Sequence, residues 1–165
     1  HSPKYVQCAQ LMSKPDKAIK ICESLASKIK SEFNDFDLIL SPAMGGIIIG
    51  YELGRILNKQ TIFSERVNEE FKLRRDFKIK KGNKVLIVED VITTGKSSME
   101  CSKLVTLSNA NIVGYACIID RSNGKSKIRE KIVSQVKLNI PTYSKDNLPK
   151  ELLSIEAVKP GSRNL

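Results

Sequence analysis

Residues 85–98 read VLIVEDVITTGKSS, and the reading of this stretch decides the fold. Val85–Val88 form an unbroken apolar run, the pattern of a strand buried on both faces of a parallel sheet. Two adjacent carboxylates, Glu89 and Asp90, follow. A Thr93-Thr94-Gly95-Lys96-Ser97 turn then leads into a stretch with helical spacing. The Gly-Lys-Ser tripeptide invites comparison with a triphosphate cradle, but G-x-x-x-x-G-K-[ST] needs a glycine five residues before Gly95. Asp90 stands there instead. Without that glycine the loop cannot wrap a polyphosphate, and a carboxylate at that point would repel one.

A strand, an acidic pair and a hydroxyl-rich turn at a helix start define a different ligand. Free backbone N–H groups and the helix dipole make the turn an anion site, to which Thr93, Thr94 and Ser97 add hydroxyl donors. A single phosphate fits. Glu89 and Asp90 lie at the C-terminal end of the strand, where open α/β sheets bind ligands. Carboxylates accept hydrogen bonds from vicinal hydroxyls, so a phosphate beside a diol points to ribose 5-phosphate. A second stretch, SPAMGGIIIG at 41–50, reads as strand, tight turn, Gly45-Gly46 and helix, and its small residues let backbone N–H groups approach an anion. Alone it reads more readily as close packing. Coupled to the acidic motif, it reads as part of the same site. IIDRSNG at 118–124 places Asp120 and Arg121 at the end of a further strand, where an arginine could take a carboxylate bidentately.

Outward from these motifs the chain alternates strand and helix. Pro15 and Asp16 suit the opening of a helix, and Ala18, Cys22, Leu25, Ala26 and Ile29 recur at helical spacing to about Ser31. Short apolar runs predict strands in FDLILSP, QTIFSE, KVLIVED, IVGYACIID and, more weakly, VSQVKLNI. Helices are expected to about Leu57, over Lys96–Ser108 and, briefly, in NLPKELL; EAVKPGS reads as a terminal strand or extended tail. Residues 66–77 are highly charged and read as a surface loop or mobile hairpin. The pattern predicts one α/β domain over residues 1–165, with a mainly parallel sheet and right-handed crossovers. The start at His1, without a methionine, suggests that an N-terminal segment precedes it.

Composition narrows the partners. No run approaches ~18 apolar residues, so no membrane-spanning helix is expected. Cys8, Cys22, Cys101 and Cys117 form no CxxC pair and there is one histidine, which argues against a zinc site. Cys22, Cys101 and Cys117 read as small buried hydrophobes, and free thiols fit a reducing cytoplasm. The net charge of +10 could serve nucleic acid, an acidic membrane or anionic small substrates. Yet Lys14, Lys17, Lys20, Lys28 and Lys30 alternate with apolar positions as a solvated helix face does, and no basic block is interleaved with aromatics. Small anions are the expected partners, not nucleic acid or membrane.

The 85–98 stretch closely resembles the motif with which type I phosphoribosyltransferases bind 5-phosphoribosyl 1-pyrophosphate (PRPP). The resemblance implies that family's fold, a mainly parallel sheet flanked by helices with a small hood. It implies that Glu89 and Asp90 hold the ribose hydroxyls, and that Thr93, Thr94, Gly95, Lys96 and Ser97, with Val91 inside the motif, hold the 5-phosphate side of PRPP. Ala43, Met44, Gly45 and Gly46 match the loop that receives pyrophosphate. HSPKYVQC, FSERVNEEFKLRR and VKPGSR are similar to segments of orotate phosphoribosyltransferases, the last two to those of a shorter bacterial subgroup. The likeness spans nearly the whole chain.

It implies transfer of the phosphoribosyl group from PRPP to orotate, giving orotidine 5-phosphate and pyrophosphate on the route to UMP. Mg2+ accompanies PRPP, with no direct protein ligand expected, and a cytoplasmic homodimer is implied. Orotate would meet Tyr5, Thr93 and Arg121. The family's mobile loop of lysines and a histidine has no residue-for-residue match. Arg66 fits its start, and Lys72, Arg74 and Arg75 could supply its charge. Two alternatives stay open: transfer to a purine or other base, which would replace Arg121 by an apolar or aromatic clamp, and a PRPP-binding regulator, which would carry an added nucleic-acid element.

Overall fold

The computed structural model describes residues 2–158. Its elements are α1 (Cys8–Met12), α2 (Pro15–Glu32), β1 (Leu38–Pro42), α3 (Gly45–Leu57), β2 (Gln60–Val67), β3 (Glu70–Leu73), β4 (Lys84–Ile92), α4 (Lys96–Leu107), β5 (Asn111–Asp120), β6 (Ile132–Lys137) and α5 (Lys150–Leu153). The strands form one sheet in the order β3-β2-β1-β4-β5-β6. All neighbours are parallel except β2 and β3, an antiparallel hairpin at one edge. Parallel pairing requires crossovers, and the helices supply them.

The two-residue period of the strands divides the core between the two faces. Ile39, Leu86, Val88 and Ala116 pack with Cys22, Leu25 and Ile29 of α2 and Ile49 and Leu53 of α3. Leu38, Leu40, Val85, Ile87, Tyr115 and Cys117 face the other way, against Cys101 and Val105 of α4. Both faces are therefore dry, which is why β4 reads as a continuous apolar run. Close packing explains Gly46, whose added Cβ would lie 2.9 Å from the Val88 carbonyl. At the other end of α3, Asn58 takes the left-handed conformation and Lys59 N–H donates to the Gly54 carbonyl, ending the helix before β2.

The predicted elements match in type and, within a few residues, in extent, with informative differences. Helix α1 was not expected, because five residues before Pro15 are too short a window for periodicity to register. The charged stretch from Arg66 is the hairpin of the expected pair, with β2 extending to Val67 and Glu70–Leu73 pairing back onto it. Strand β6 stops at Lys137, short of the apolar run that continues to Ile140. Beside β5, the N-terminal segment meets the chain that follows β6: Ser2 Oγ donates to the Pro141 carbonyl at 3.0 Å. Within EAVKPGS, residues 156–158 form no strand, and the remainder, with most of VKPGSR and with His1, lies outside the described residues.

Cys8, Cys22, Cys101 and Cys117 are all buried and unpaired by disulfides. Burial pushes the thiols of Cys8 and Cys101 up to about 12 and that of Cys22 up to about 11, and raises Cys117 as well. Since the thiolate is the reactive form, the folded protein at pH 8 should resist an aromatic disulfide reagent at all four positions, and denaturant should release all four. Rapid labelling of any one in the native state would contradict this packing.

Candidate active site

Strands β1, β4 and β5 end at one edge of the sheet, and the chain leaves each through a loop or turn that faces its neighbours. Between β1 and α3 lie Ala43 and Met44, joined by a cis peptide bond. Ala43 N–H donates to the Ser64 carbonyl of β2 at 2.8 Å, which ties this loop to the sheet. Helix α3 then begins at Gly45 with no side-chain cap and no acidic residue in its own first turn. Its positive end is left for a charge from elsewhere.

That charge is Asp90. A Cβ built on Gly45 would fall 2.6–2.7 Å from the carboxylate atoms of Asp90, so any larger residue there would push that carboxylate aside. Asp90 Oδ1 accepts the backbone N–H of Val91 at 2.9 Å. Burial holds the Asp90 carboxyl above its ordinary range, opposed by backbone N–H donors from Val91 and its own residue. Glu89 is positioned differently, since the buried Ser98 Oγ of α4 donates to its Oε2.

The turn after β4 repeats the open helix end. Gly95 is the residue before α4, with φ +76°, and as the N-cap it brings no side chain to the helix end, nor does an acid sit in its first turn. A Cβ on Gly95 would also lie 2.9 Å from Ile128 Cδ1, so glycine serves both the backbone conformation and the packing of the following loop. Thr94 Oγ1 accepts the Lys96 N–H at 3.3 Å. Thr93, Thr94 and Lys96 are exposed, whereas Ser97 is buried. Two uncapped helix ends, two carboxylates and a hydroxyl-rich turn thus converge on one edge. The arrangement suits a ligand with separated anionic groups and hydroxyls between them.

At the end of β5, Arg121 N–H donates to the Ile92 carbonyl and Ser122 N–H to the buried Asp120 Oδ1, both at 2.8 Å. Asp120 therefore shapes the turn, and Arg121 projects from it. Arg121 Nη2 donates to Ser2 Oγ at 3.2 Å, bringing the N-terminal segment to this corner, while its buried Nε has no partner among the described residues. Tyr5, on the same segment, is half exposed.

The hairpin cations divide. Arg66 is paired with Glu100 of α4 at 2.5 Å and stacks 4.3 Å over the Phe71 ring. Lys72 pairs with Glu70, and Arg74 and Arg75 pair with Glu65. In the hairpin register Lys72 stands opposite Glu65, hence on the other face from Arg66. Ser98, Glu100 and Ile128 are contacts that sequence reasoning missed. Only Glu100 carried a signal, its spacing of four from Lys96 on a helix. Among the described residues no group of three or more His, Cys, Asp or Glu side chains could cage a metal. A divalent ion that brings its own phosphate and water ligands fits this donor set, since two carboxylates at an open edge need add little.

Comparison with known proteins agrees with the geometry. A family model described as phosphoribosyl transferase domain matches residues 12–147. An orotate phosphoribosyltransferase from Parvibaculum lavamentivorans is 45% identical over 100% of this chain and 86% of its own length. One from Maricaulis maris is 40% identical over 98% of this chain and 84% of its own length. Among solved structures, adenine phosphoribosyltransferase from Thermoanaerobacter pseudethanolicus superposes with a TM-score of 0.70 at 20% identity, over 81% of this chain and 88% of that one.

The raised Asp90 carboxyl has a stability consequence whose sign can be worked out. A carboxyl whose folded value lies above its unfolded one stabilises the fold below the ordinary carboxylate range and loses that contribution as pH rises through the folded value. At neutral pH the ionised group is therefore a burden. Asp90→Asn, whose amide oxygen can still accept the Val91 N–H, should unfold at an equal or higher temperature than wild type at pH 7. Below pH about 4 the advantage should shrink, as scanning calorimetry at both pH values would reveal.

Proposed function

The chain belongs to the phosphoribosyl transferase family, among its orotate phosphoribosyltransferases, and we propose that it transfers the 5-phosphoribosyl group of PRPP to orotate, yielding orotidine 5-phosphate and pyrophosphate. This is the phosphoribosyl step of UMP formation. The single observation that carries the residue assignment is the contact of Asp90 with Gly45. It joins the ribose end of the site to the pyrophosphate end.

In this reading the α4 turn, with Thr93, Thr94, Gly95, Lys96 and Ser97, takes the 5-phosphate through backbone N–H groups and hydroxyls. Glu89, steadied by Ser98, and Asp90, beside the α3 terminus, accept the ribose hydroxyls. Val91 supplies the N–H that orients Asp90. Met44, Gly45 and Gly46 present backbone donors to the pyrophosphate at the uncapped start of α3, in a loop that Ala43 ties to β2 through its own N–H. As the C1–O bond loosens, positive charge develops on the sugar, and the two fixed carboxylates favour it. Arg121 takes the orotate carboxylate, beside Tyr5 and Thr93, through guanidinium N–H groups other than the one given to Ser2. A purine would find no use for a guanidinium there. Bound with PRPP, Mg2+ would neutralise pyrophosphate charge, held by phosphate oxygens and, from the protein side, by Asp90 or Glu89 through water or the ribose hydroxyls. The reaction needs little proton transfer from the protein, so its residues act mainly by position and charge.

Arg66, Lys72, Arg74 and Arg75 shield the departing pyrophosphate, and a homodimer would let a neighbour's hairpin contribute. Met44, at the N-cap of α3, and Ile48 and Tyr51 within it are 75, 52 and 67% exposed, and this apolar stripe beginning at the pyrophosphate loop supports contact with a second copy. Residues 1–165 make one phosphoribosyltransferase domain, and four buried free thiols support a reducing, cytoplasmic setting.

Ultraviolet loss of orotate on mixing protein, PRPP and Mg2+ tests the activity; turnover of hypoxanthine or uracil with no loss of orotate would refute it. In the same assay Asp90→Asn should lower kcat by about a hundredfold or more, and Arg121→Ala should raise KM for orotate by about tenfold with KM for PRPP little changed. Wild-type-like values would remove either assignment. Separately, Ile48→Lys should shift sedimentation toward the monomer, and an unchanged profile would place the dimer contact elsewhere.

A further inference from the structure

Glu100 stands one turn into α4, four residues after Lys96. Its carboxylate is shared between two cations. Oε2 accepts from Arg66 Nη2 at 2.5 Å, and Oε1 lies 3.9 Å from Lys96 Nζ. Arg66 is held on two further sides, since its Nη1 donates to the Glu69 carbonyl at the hairpin turn and its plane lies over Phe71. A guanidinium carries five N–H donors, and these two hydrogen bonds leave others for an anion.

The other hairpin cations differ in a way that isolates this arrangement. Lys72, Arg74 and Arg75 pair with Glu70 and Glu65, carboxylates of the hairpin itself. Arg66 alone among the four is tied by an ion pair to the helix that begins with the phosphate turn. On the reading given above, on which this inference rests, Lys96 serves the 5-phosphate end of PRPP and Arg66 the pyrophosphate end.

We propose that Glu100 is a positioning residue for PRPP, one carboxylate that fixes Arg66 against α4 and couples it to Lys96. An arginine on an edge hairpin has much rotamer entropy to lose when it captures an anion, and a side chain immobilised beforehand loses less. Two cations held near one another would also repel, and the carboxylate between them offsets that repulsion while leaving net positive charge for the ligand. The pair is partly exposed, with side-chain accessibilities of 35 and 23%, so its role in stability is small and its effect falls on binding.

Glu100→Gln in the full chain keeps the side-chain shape and removes the charge. It should leave the unfolding temperature and KM for orotate near wild type, raise KM for PRPP by about tenfold, and weaken calorimetric binding of inorganic pyrophosphate in parallel. In an Arg66→Ala background the same change should add almost nothing, because the two residues act as a unit. Pyrophosphate affinity equal in wild type and Glu100→Gln would overturn the inference, as would a full Glu100 effect persisting without Arg66. A wild type that consumes orotate but shows no Glu100 effect overturns this inference alone. One that neither consumes orotate nor binds pyrophosphate overturns the proposed function with it.

Discussion

The contact on which the site depends is that between the Asp90 carboxylate and the backbone of Gly45. It brings the loops that follow the neighbouring strands β1 and β4 into one cradle, and it places a half-buried carboxylate at the open end of α3. Everything around it follows from that closeness. Gly46 must be small because α3 lies directly on the β4 backbone, and Val91 must lend its N–H because the carboxylate has been drawn out of water. The geometry is costly for a folded chain and useful for a ligand with hydroxyls to offer. Such a conflict between stability and function is expected where a site is prepared in advance of its substrate.

The charge of the chain reads differently once its placement is known. Its +10 excess is spread along the sequence. Lysines of α2 line its exposed side, and the hairpin cations are each matched by a carboxylate, Glu100 for Arg66, Glu70 for Lys72 and Glu65 for Arg74 and Arg75. What faces the cradle is instead a set of backbone N–H groups at two uncapped helix ends, with Lys96 and Arg66 at its margins. Backbone donors are fixed by the fold and need no ordering on binding, whereas lysine side chains do. Paired arginines fall between, since an ion pair restrains them before any ligand arrives.

Much of this was legible in the linear chain. The apolar run of β4, the acidic pair and the glycine turn lie within fourteen consecutive residues, so local spacing alone placed the two carboxylates and the hydroxyl-rich turn on one strand-turn-helix unit. In the proposed function the Gly-Lys-Ser tripeptide is the phosphate's end of that unit. Less legible were contacts between units. Ser98 steadies Glu89 from the next helix, Ile128 closes on Gly95 from a loop more than thirty residues later, and Ser2 reaches Arg121 across almost the whole chain. None has a periodic or motif signal, because a side chain that meets its partner through the fold is unconstrained by its sequence neighbours.

The sequence by itself determined the alternation of strands and helices, the mainly parallel sheet, and the strand, acidic pair and helix turn of residues 85–98. Backbone periodicity and short-range chemistry are written in adjacent residues, and those are what these features require. Tertiary structure alone decided that Asp90 sits against Gly45, that Arg66 leans on Glu100 while the other hairpin cations do not, and that Arg121 shares its corner with the N-terminal segment. These depend on sheet order and on which face of a strand each side chain occupies. Both are set by the packing of the whole core, and no single stretch of sequence contains them.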